Sequence, residues 1–230
     1  MTVRVVLVEP ESAGNIGAIA RSMKNFGLSD LRIVKPKTPL TAEARAFAMH
    51  GFDVLRKAKK VKTLGQALRN VDMVVGTSAV IASSRANITR VPITPRELAQ
   101  RISALEANVG LVFGRESSGL SNEEMEYCDL MVTIPANRTY NVLNVASAAS
   151  IVFYELFQTR TARPGPPLAS EVVKRRLLME FGRIVKRSGV QPHKRPLVQR
   201  SFRNVISRSF ITSREASLLL GVFRRGSAKL

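Results

Sequence analysis

A chain of 230 residues and 25.3 kDa with 45% apolar residues can bury the core of one large domain, or of a standard domain with a small appendage. The composition excludes collagen-like and disordered classes, and no apolar run approaches the ~18 residues of a membrane helix. A net charge of +19, from 36 Lys and Arg against 17 Asp and Glu, favours a polyanionic partner.

That charge is uneven. Residues 161–230 carry 16 Lys and Arg and only 3 Asp and Glu, net +13, whereas residues 1–160 carry 20 and 14, net +6. The bland account is a charged surface solvated for thermal stability, but such a surface would pair Glu with Lys; the missing acids favour nucleic acid. The border near 160 coincides with RTARPGPP (160–167), rich in Pro and Gly, which reads as a linker. A division follows: residues 1–160 as one domain, 161–170 as linker and 171–230 as a basic helical extension. The lone cysteine, Cys128, excludes an intrachain disulfide, and with only His50 and His193 beside it no Cys/His metal site is expected. A reduced, cytosolic protein is expected, because the opening MTVRVVLVEP is too short for the apolar core of a signal peptide.

In chain order, VRVVLV (3–8), LRIV (31–34), DMVVG (72–76), VGLVF (109–113) and DLMVTI (129–134) are near-continuous apolar runs, as strands covered on both faces should be. Helices separate them. Residues 15–26 form one that Gly27 closes. Thr94, Pro95 and Glu97 make a capping box with proline at the first helical position, and Ser121 with Glu124 makes a second. This alternation predicts a parallel α/β sheet. After the linker the strand pattern ends, and residues 171–187, about 197–208 and 213–224 read as amphipathic helices, the last capped by Ser213.

The nucleotide fingerprints GxGxxG and GxxxxGK[ST] are missing, which argues against a dehydrogenase or a P-loop enzyme. In EPESAGNIGAIARSMKNFG (9–27), Asn15, Arg21 and Asn25 interleave with apolar residues, so they are either a polar set facing a cleft or a helix cap and surface charges. A stronger signal is VGLVF running into GRESSGL (114–120) and DLMVTI running into PANRTYNVLN (135–144). Two Gly- or Asn-rich loops at the carboxyl ends of adjacent parallel strands would form a ligand crevice, with glycines admitting a flat heterocycle to bare backbone. Glu116 is the only acid in the first loop.

The three segments NIGAIARSMKNFG, LVFGRESSGL and VTIPANRTYNVLNVASAASIVFYEL, in this order over about 155 residues, resemble the three motifs of the SPOUT methyltransferases, in the tRNA/rRNA ribose 2′-O-methyltransferase branch. The arrangement is similar to the TrmJ type, which joins this domain to a basic helical C-terminal extension. The resemblance implies S-adenosylmethionine as methyl donor, a C-terminal trefoil knot, a homodimer and no metal. It also implies a ribose target in tRNA: cytidine, with uridine as a variant, at anticodon-loop position 32. Matched by position, Asn15 and Arg21 belong to the substrate side. Gly114, Glu116 and Gly119 belong to the donor loop, Ile134, Leu143 and Asn144 to the loop around the adenosine, and Thr77 with Ser78 to the pocket floor. The departure is Val142, where many relatives have serine; Asn141, Tyr140 or water would take over that hydroxyl's part. Arg85 or Arg90 would contact the nucleotide.

Relatives are often described with the first-motif Arg as base, yet a guanidinium with pKa above about 12 is a poor one. Arg21 is better read as a cation binding phosphate and stabilising charge on the attacking oxygen, with Asn15 and Glu116 completing the catalytic set. Lys174, Arg175, Arg176, Arg183, Lys186 and Arg187, followed by Lys194, Arg195, Arg200 and Arg203, would neutralise phosphates without reading sequence. The competing readings are an rRNA ribose methyltransferase, a non-catalytic RNA-binding protein and a metabolic α/β enzyme for a phosphorylated small molecule; the last leaves the basic tail unexplained.

Overall fold

A computed structural model of the chain describes residues 2–79, 92–103, 105–137, 139–159 and 166–229, and of residues 228 and 229 the backbone alone. The described residues fall into two compact units, one from the first four of these segments and one from the last.

In the first unit, six strands are β1 (Thr2–Val8), β2 (Asp30–Val34), β3 (Lys59–Val61), β4 (Met73–Thr77), β5 (Asn108–Phe113) and β6 (Leu130–Val132). They form one sheet in the order β3-β2-β1-β5-β4-β6, and every pairing is parallel. The apolar runs are explained by coverage of both faces. Val6, Val8, Val34 and Val112 pack with Leu64 and Ala67, while Val5, Leu7, Ile33 and Leu111, in alternate register, are just as buried.

The helices of this unit are α1 (Ala13–Asn25), α2 (Ala42–Ala48), α3 (Phe52–Lys57), α4 (Leu64–Ala67), α5 (Pro95–Ser103), α6 (Asn122–Glu126) and α7 (Val145–Gln158). Both capping boxes form, at Thr94 with Glu97 and at Ser121 with Glu124, and Gly27 takes the left-handed conformation at φ 66 after α1. The first helix starts two residues earlier than its periodicity suggests because Ser12, not Asn15, supplies the cap, accepting from Asn15 N. That leaves the Asn15 side chain for other work. The stretch 40–67 shows no clear period in sequence; α2, a 3-10 turn at Met49–Gly51 and α3 pack against α1, while α4 packs against β2 and β3.

The second unit contains α8 (Glu171–Arg187), α9 (Arg195–Arg208) and α10 (Ser213–Lys229). Its core joins Leu177, Ile206, Ile211 and Ala216 to a triple aromatic contact in which Phe181 stacks on Phe202 at 3.9 Å and both meet Phe223. Two expectations change here. Thr212 rather than Ser213 caps α10, exchanging hydrogen bonds with Glu215, while Ser213 Oγ donates to Leu168 O. Leu168 and Ala169, which composition places in the linker, are buried in this core, and Ala169 N donates to Ile211 O. Residues 160–165 of that linker lie outside the described residues. No described helix is long and apolar enough to cross a membrane.

Candidate active site

Because all the strands run the same way, the segments leaving β1 (9–12), β4 (77–79), β5 (114–120) and β6 (133–144) gather at one edge of the sheet, where open α/β sheets place their sites. One sequence expectation is corrected: β5 and β6 are not neighbours, since β4 lies between them and is paired to both. The crevice is therefore framed by three strand ends, with Thr77 on the middle one.

Three residues from the three separate motifs join in one line of hydrogen bonds. Glu116 accepts from Glu11 N at 2.8 Å, from Ser12 N at 3.2 Å and from Asn15 Nδ2 at 3.0 Å. A carboxylate only accepts, so Asn15 turns its amide nitrogen to Glu116 and its oxygen to Asn144, whose Nδ2 donates at 3.0 Å. Asn144 Oδ1 then caps α7, accepting from Ala146 N at 2.8 Å and Ser147 N at 3.4 Å. The polarity of the chain is fixed from end to end. Glu116 thus anchors the loop before α1 and, through Asn15, the start of α7.

Arg115, which the sequence reading passed over, binds in the opposite direction. Its guanidinium donates to Glu9 at 3.0 Å, to Gly119 O at 3.2 Å and to both oxygens of Glu124 at 2.8 and 2.9 Å. Hydrogen bonding to Arg115 holds the Glu124 carboxyl below the usual carboxylate range, and the same partners raise the pKa of Arg115. Glu9 sits at φ 45, a backbone conformation that side chains disfavour, so the ion pair also holds a strained turn. The only signal in the sequence was an Arg beside Glu116, and a lone exposed charge would look the same.

The loop after β5 closes on itself through Arg115 N to Gly119 O and Gly119 N to Arg115 O. Gly119, at φ 69, meets the requirement for a left-handed residue, and a Cβ there would meet nothing within 4 Å. Gly114 has a different reason from the open backbone expected for a ligand. A Cβ at Gly114 would lie 2.2 Å from Gly119 C and 2.4 Å from Leu120 N, so the glycine is needed for the loop to pack on itself.

Of the other candidates, Arg21 is exposed on α1 and makes no hydrogen bond or ion pair with a described residue. Thr77 spends its hydroxyl on Val112 O at 3.2 Å, and Ser78 N pairs with Val132 O. Ile134 is half-buried, and Val142 and Leu143 are exposed. Asn141 Nδ2 donates to Ala79 O at 3.0 Å, tying the segment after β6 to the one after β4, while Tyr140 is exposed. Arg85 and Arg90 lie outside the described residues.

In the second unit the basic set divides. Lys174 is buried and leaves the exposed set, because its position on α8 faces inward with Leu177. Arg175 pairs with Glu171 at 3.1 Å, Arg183 with buried Glu180 at 2.9 Å, and Arg187 donates to Ser227 O. Arg176 and Lys186 are exposed without an acidic partner among the described residues.

The residues at this edge are compatible in their chemistry with a bound nucleoside. Thr133, at the end of β6, has a buried hydroxyl with no partner among the described residues, and the exposed apolar Val142 and Leu143 follow on the same segment. Among the described residues no group of three His, Cys, Asp or Glu is placed to hold a metal ion.

Residues 2–154 match the SpoU rRNA Methylase family. The chain is 37% identical to the tRNA (cytidine-2′-O-)-methyltransferase TrmJ of Methanocaldococcus jannaschii over 227 residues, covering 96% of this chain and 98% of that one. Against the protein of the same name from Sulfolobus acidocaldarius, identity is 40% over 175 residues, 76% of this chain and 72% of the other. The crystal structure of TrmJ from Z. mobilis superimposes with a TM-score of 0.72 at 27% identity, covering 98% of this chain and 99% of that one. With its motifs joined at one sheet edge and its whole length matched, the chain belongs to the SpoU methylase family, in the TrmJ-type branch.

Proposed function

We propose that the chain transfers a methyl group from S-adenosylmethionine to a ribose 2′-hydroxyl of tRNA, at cytidine, and secondarily uridine, in anticodon-loop position 32. The observation that carries this reading is the hydrogen-bonded line Glu116–Asn15–Asn144, which joins the loop after β5, the start of α1 and the start of α7, one residue from each of the three motifs. The activity of the TrmJ proteins from M. jannaschii and S. acidocaldarius supports tRNA as substrate.

Gly114, Gly119, Ile134, Leu143 and Asn144 would hold the donor over a floor of Thr77 and Ser78. When bound, the donor supplies an electrophilic methyl group on a sulfonium. The protein's part is positioning, because attack requires the 2′-oxygen in line with the carbon–sulfur bond. Arg21, as a cation, holds the adjacent phosphate and stabilises negative charge growing on the 2′-oxygen, whose proton leaves to water. Glu116, with its oxygens committed to Glu11 N, Ser12 N and Asn15, keeps the loops in register. No metal enters this scheme, and a tRNA substrate places the reaction in the cytoplasm.

Residues 1–160 form the methyltransferase part of this scheme, with the chain beyond β6 threaded as the family's trefoil knot; the Asn141 to Ala79 contact between the two loops is consistent with it. The helical unit supplies affinity for phosphate. A homodimer completes the assembly: α7 leaves Ile151, Tyr154 and Phe157 exposed, and a second copy would cover them.

The test is methyl transfer to tRNA and rRNA fragments with mapping of the modified ribose, beside light scattering on the protein. Methylation at position 32 by a species of twice 25.3 kDa is expected. Methylation of rRNA alone would move the substrate, RNA binding with neither donor binding nor transfer would make the chain a non-catalytic RNA-binding protein, and a monomer would remove the dimer.

A further inference from the structure

The seam between α1 and α2 is unusually close. A Cβ at Gly17 would lie 2.2 Å from Ala44 O and 2.9 Å from Phe47 Cβ, and one at Gly14 would lie 3.4 Å from both Cδ2 and Cε2 of the Phe47 ring. The Phe47 side chain therefore runs along the α1 backbone from Gly17, where its Cβ lies, to Gly14, where its ring edge lies. Even so, Phe47 remains 53% exposed. At the other end of the seam, a Cβ at Gly51 would meet Arg21 Cα at 2.6 Å, so Arg21 emerges where the 3-10 turn abuts α1. Between them Met49 is also exposed, at φ 47 and ψ −123, a strained conformation for a residue with a side chain and one that persists only where its surroundings impose it.

An aromatic ring held against backbone with part of its surface in solvent is costly for the free protein and suited to a flat partner. The ring edge lies at Gly14, and Gly14 and Arg21 are about two helical turns apart, ~10.5 Å along the axis, a span that a nucleotide and the long Arg21 side chain cover together. The Glu43 carboxylate reaches the Gly14 end of the seam, away from Arg21, so a phosphate is favoured only at the Arg21 end. A nucleotide satisfies ring and cation together, with its base on Phe47 and its phosphate on Arg21.

We propose that the α1–α2 seam is a nucleotide-binding surface for the RNA substrate, on which one base stacks on Phe47 while its phosphate is held by Arg21. This rests on the reading of the chain as an RNA methyltransferase and adds a contact outside its three motifs. Stacking tolerates any base, so Phe47 acts by fixing where a splayed nucleotide lies.

The experiment uses full-length Phe47→Ala, Phe47→Leu and Phe47→Trp, assayed for tRNA methylation, tRNA affinity by filter binding, S-adenosylmethionine affinity and mass. Alanine and leucine should each lower kcat/KM and affinity for tRNA about tenfold, and tryptophan should restore both, with donor affinity and mass unchanged. Leucine behaving as wild type would reduce Phe47 to packing and overturn the proposal. A changed mass would make the seam a contact between copies, and a parallel loss of donor affinity would make it a support for the loops; either refutes it. If the wild type transfers no methyl group, the parent reading fails, and filter binding still decides: equal tRNA affinity in wild type and alanine variant overturns the seam.

Discussion

In residues 1–160, 14 acids stand against 20 bases, and Glu9, Glu11, Glu116 and Glu124 are gathered at the carboxyl edge of the sheet. Each accepts hydrogen bonds from a neighbouring loop: Glu11 from Lys37 and Ser117, Glu9 and Glu124 from Arg115, and Glu116 from the start of α1. In residues 161–230 only 3 acids stand against 16 bases, and all three have local tasks. Glu171 and Glu180 pair with Arg175 and Arg183, and Glu215 caps α10. The first unit uses acids to fix geometry. The second leaves cations such as Arg176 and Lys186 exposed, free on the proposed reading to meet a phosphate backbone, and with few acids it cannot build a comparable polar network. A site that must hold reacting atoms in line and a surface that must hold phosphates in any sequence ask for these opposite uses of charge.

The sharpest way to break the comparison is Arg21→Ala, which removes the one exposed cation assigned to chemistry. Methyl transfer should fall by about 10²-fold or more with donor affinity nearly unchanged. Activity within threefold of wild type, measured on a variant with an unchanged melting curve, would remove Arg21 from the mechanism.

Next comes removal of the chain after residue 160. If the helical unit makes several phosphate contacts, log K for tRNA falls linearly with log salt in the full protein, and truncation should weaken binding and flatten that slope. Donor binding should survive, since the strands and their loops all precede the cut. An identical slope with and without the tail would refute the division of labour.

Asn144→Ala tests the network. It removes the cap of α7, a loss of about 1 kcal/mol, and leaves Asn15 Oδ1 without its donor. Calorimetry should show weaker S-adenosylmethionine binding while tRNA affinity stays the same; unchanged donor binding would place the crevice elsewhere.

The smallest effect is on pH. Arg115 lowers the pKa of Glu124 in the folded protein, so the folded state favours the ionised form. The resulting stability is complete above the unfolded carboxylate value near 4.5 and is lost as pH falls through the lowered folded value. Thermal melts from pH 7 downward should show this acid loss in wild type and less of it in Glu124→Gln. Matching pH profiles would mean the clamp holds geometry without adding stability.

Much of the candidate site was legible because its motifs are local strings. Gly119, Glu116, Asn15 and Asn144 could be marked from loop composition and from the resemblance, and the capping boxes at Thr94 and Ser121 form as the spacing implies. What each marked residue does was less legible. Gly114 was marked for a ligand's approach, and the structure adds a requirement the sequence did not show: its own loop packs where a Cβ would lie. Lys174 shares its helix with Arg175 and Arg176, and only the packing of α8 shows that it turns inward. The short elements of residues 40–67 carry too few turns for a period to emerge, so Phe47 and Met49 gave no sequence signal at all.

By itself the sequence determined the alternation of strand and helix, the parallel sheet, the helical tail and the place of the charge, because apolar period, capping residues and composition are properties of short segments. Tertiary structure alone decided that β4 separates β5 from β6, that Glu116 reaches Asn144 through Asn15, that Arg115 joins Glu9 to Glu124, and that Phe47 lies on the backbone beside Asn15. These are contacts between residues as many as 129 positions apart, as between Asn15 and Asn144. Strand order and the closure of the loops set them, and no local pattern encodes either.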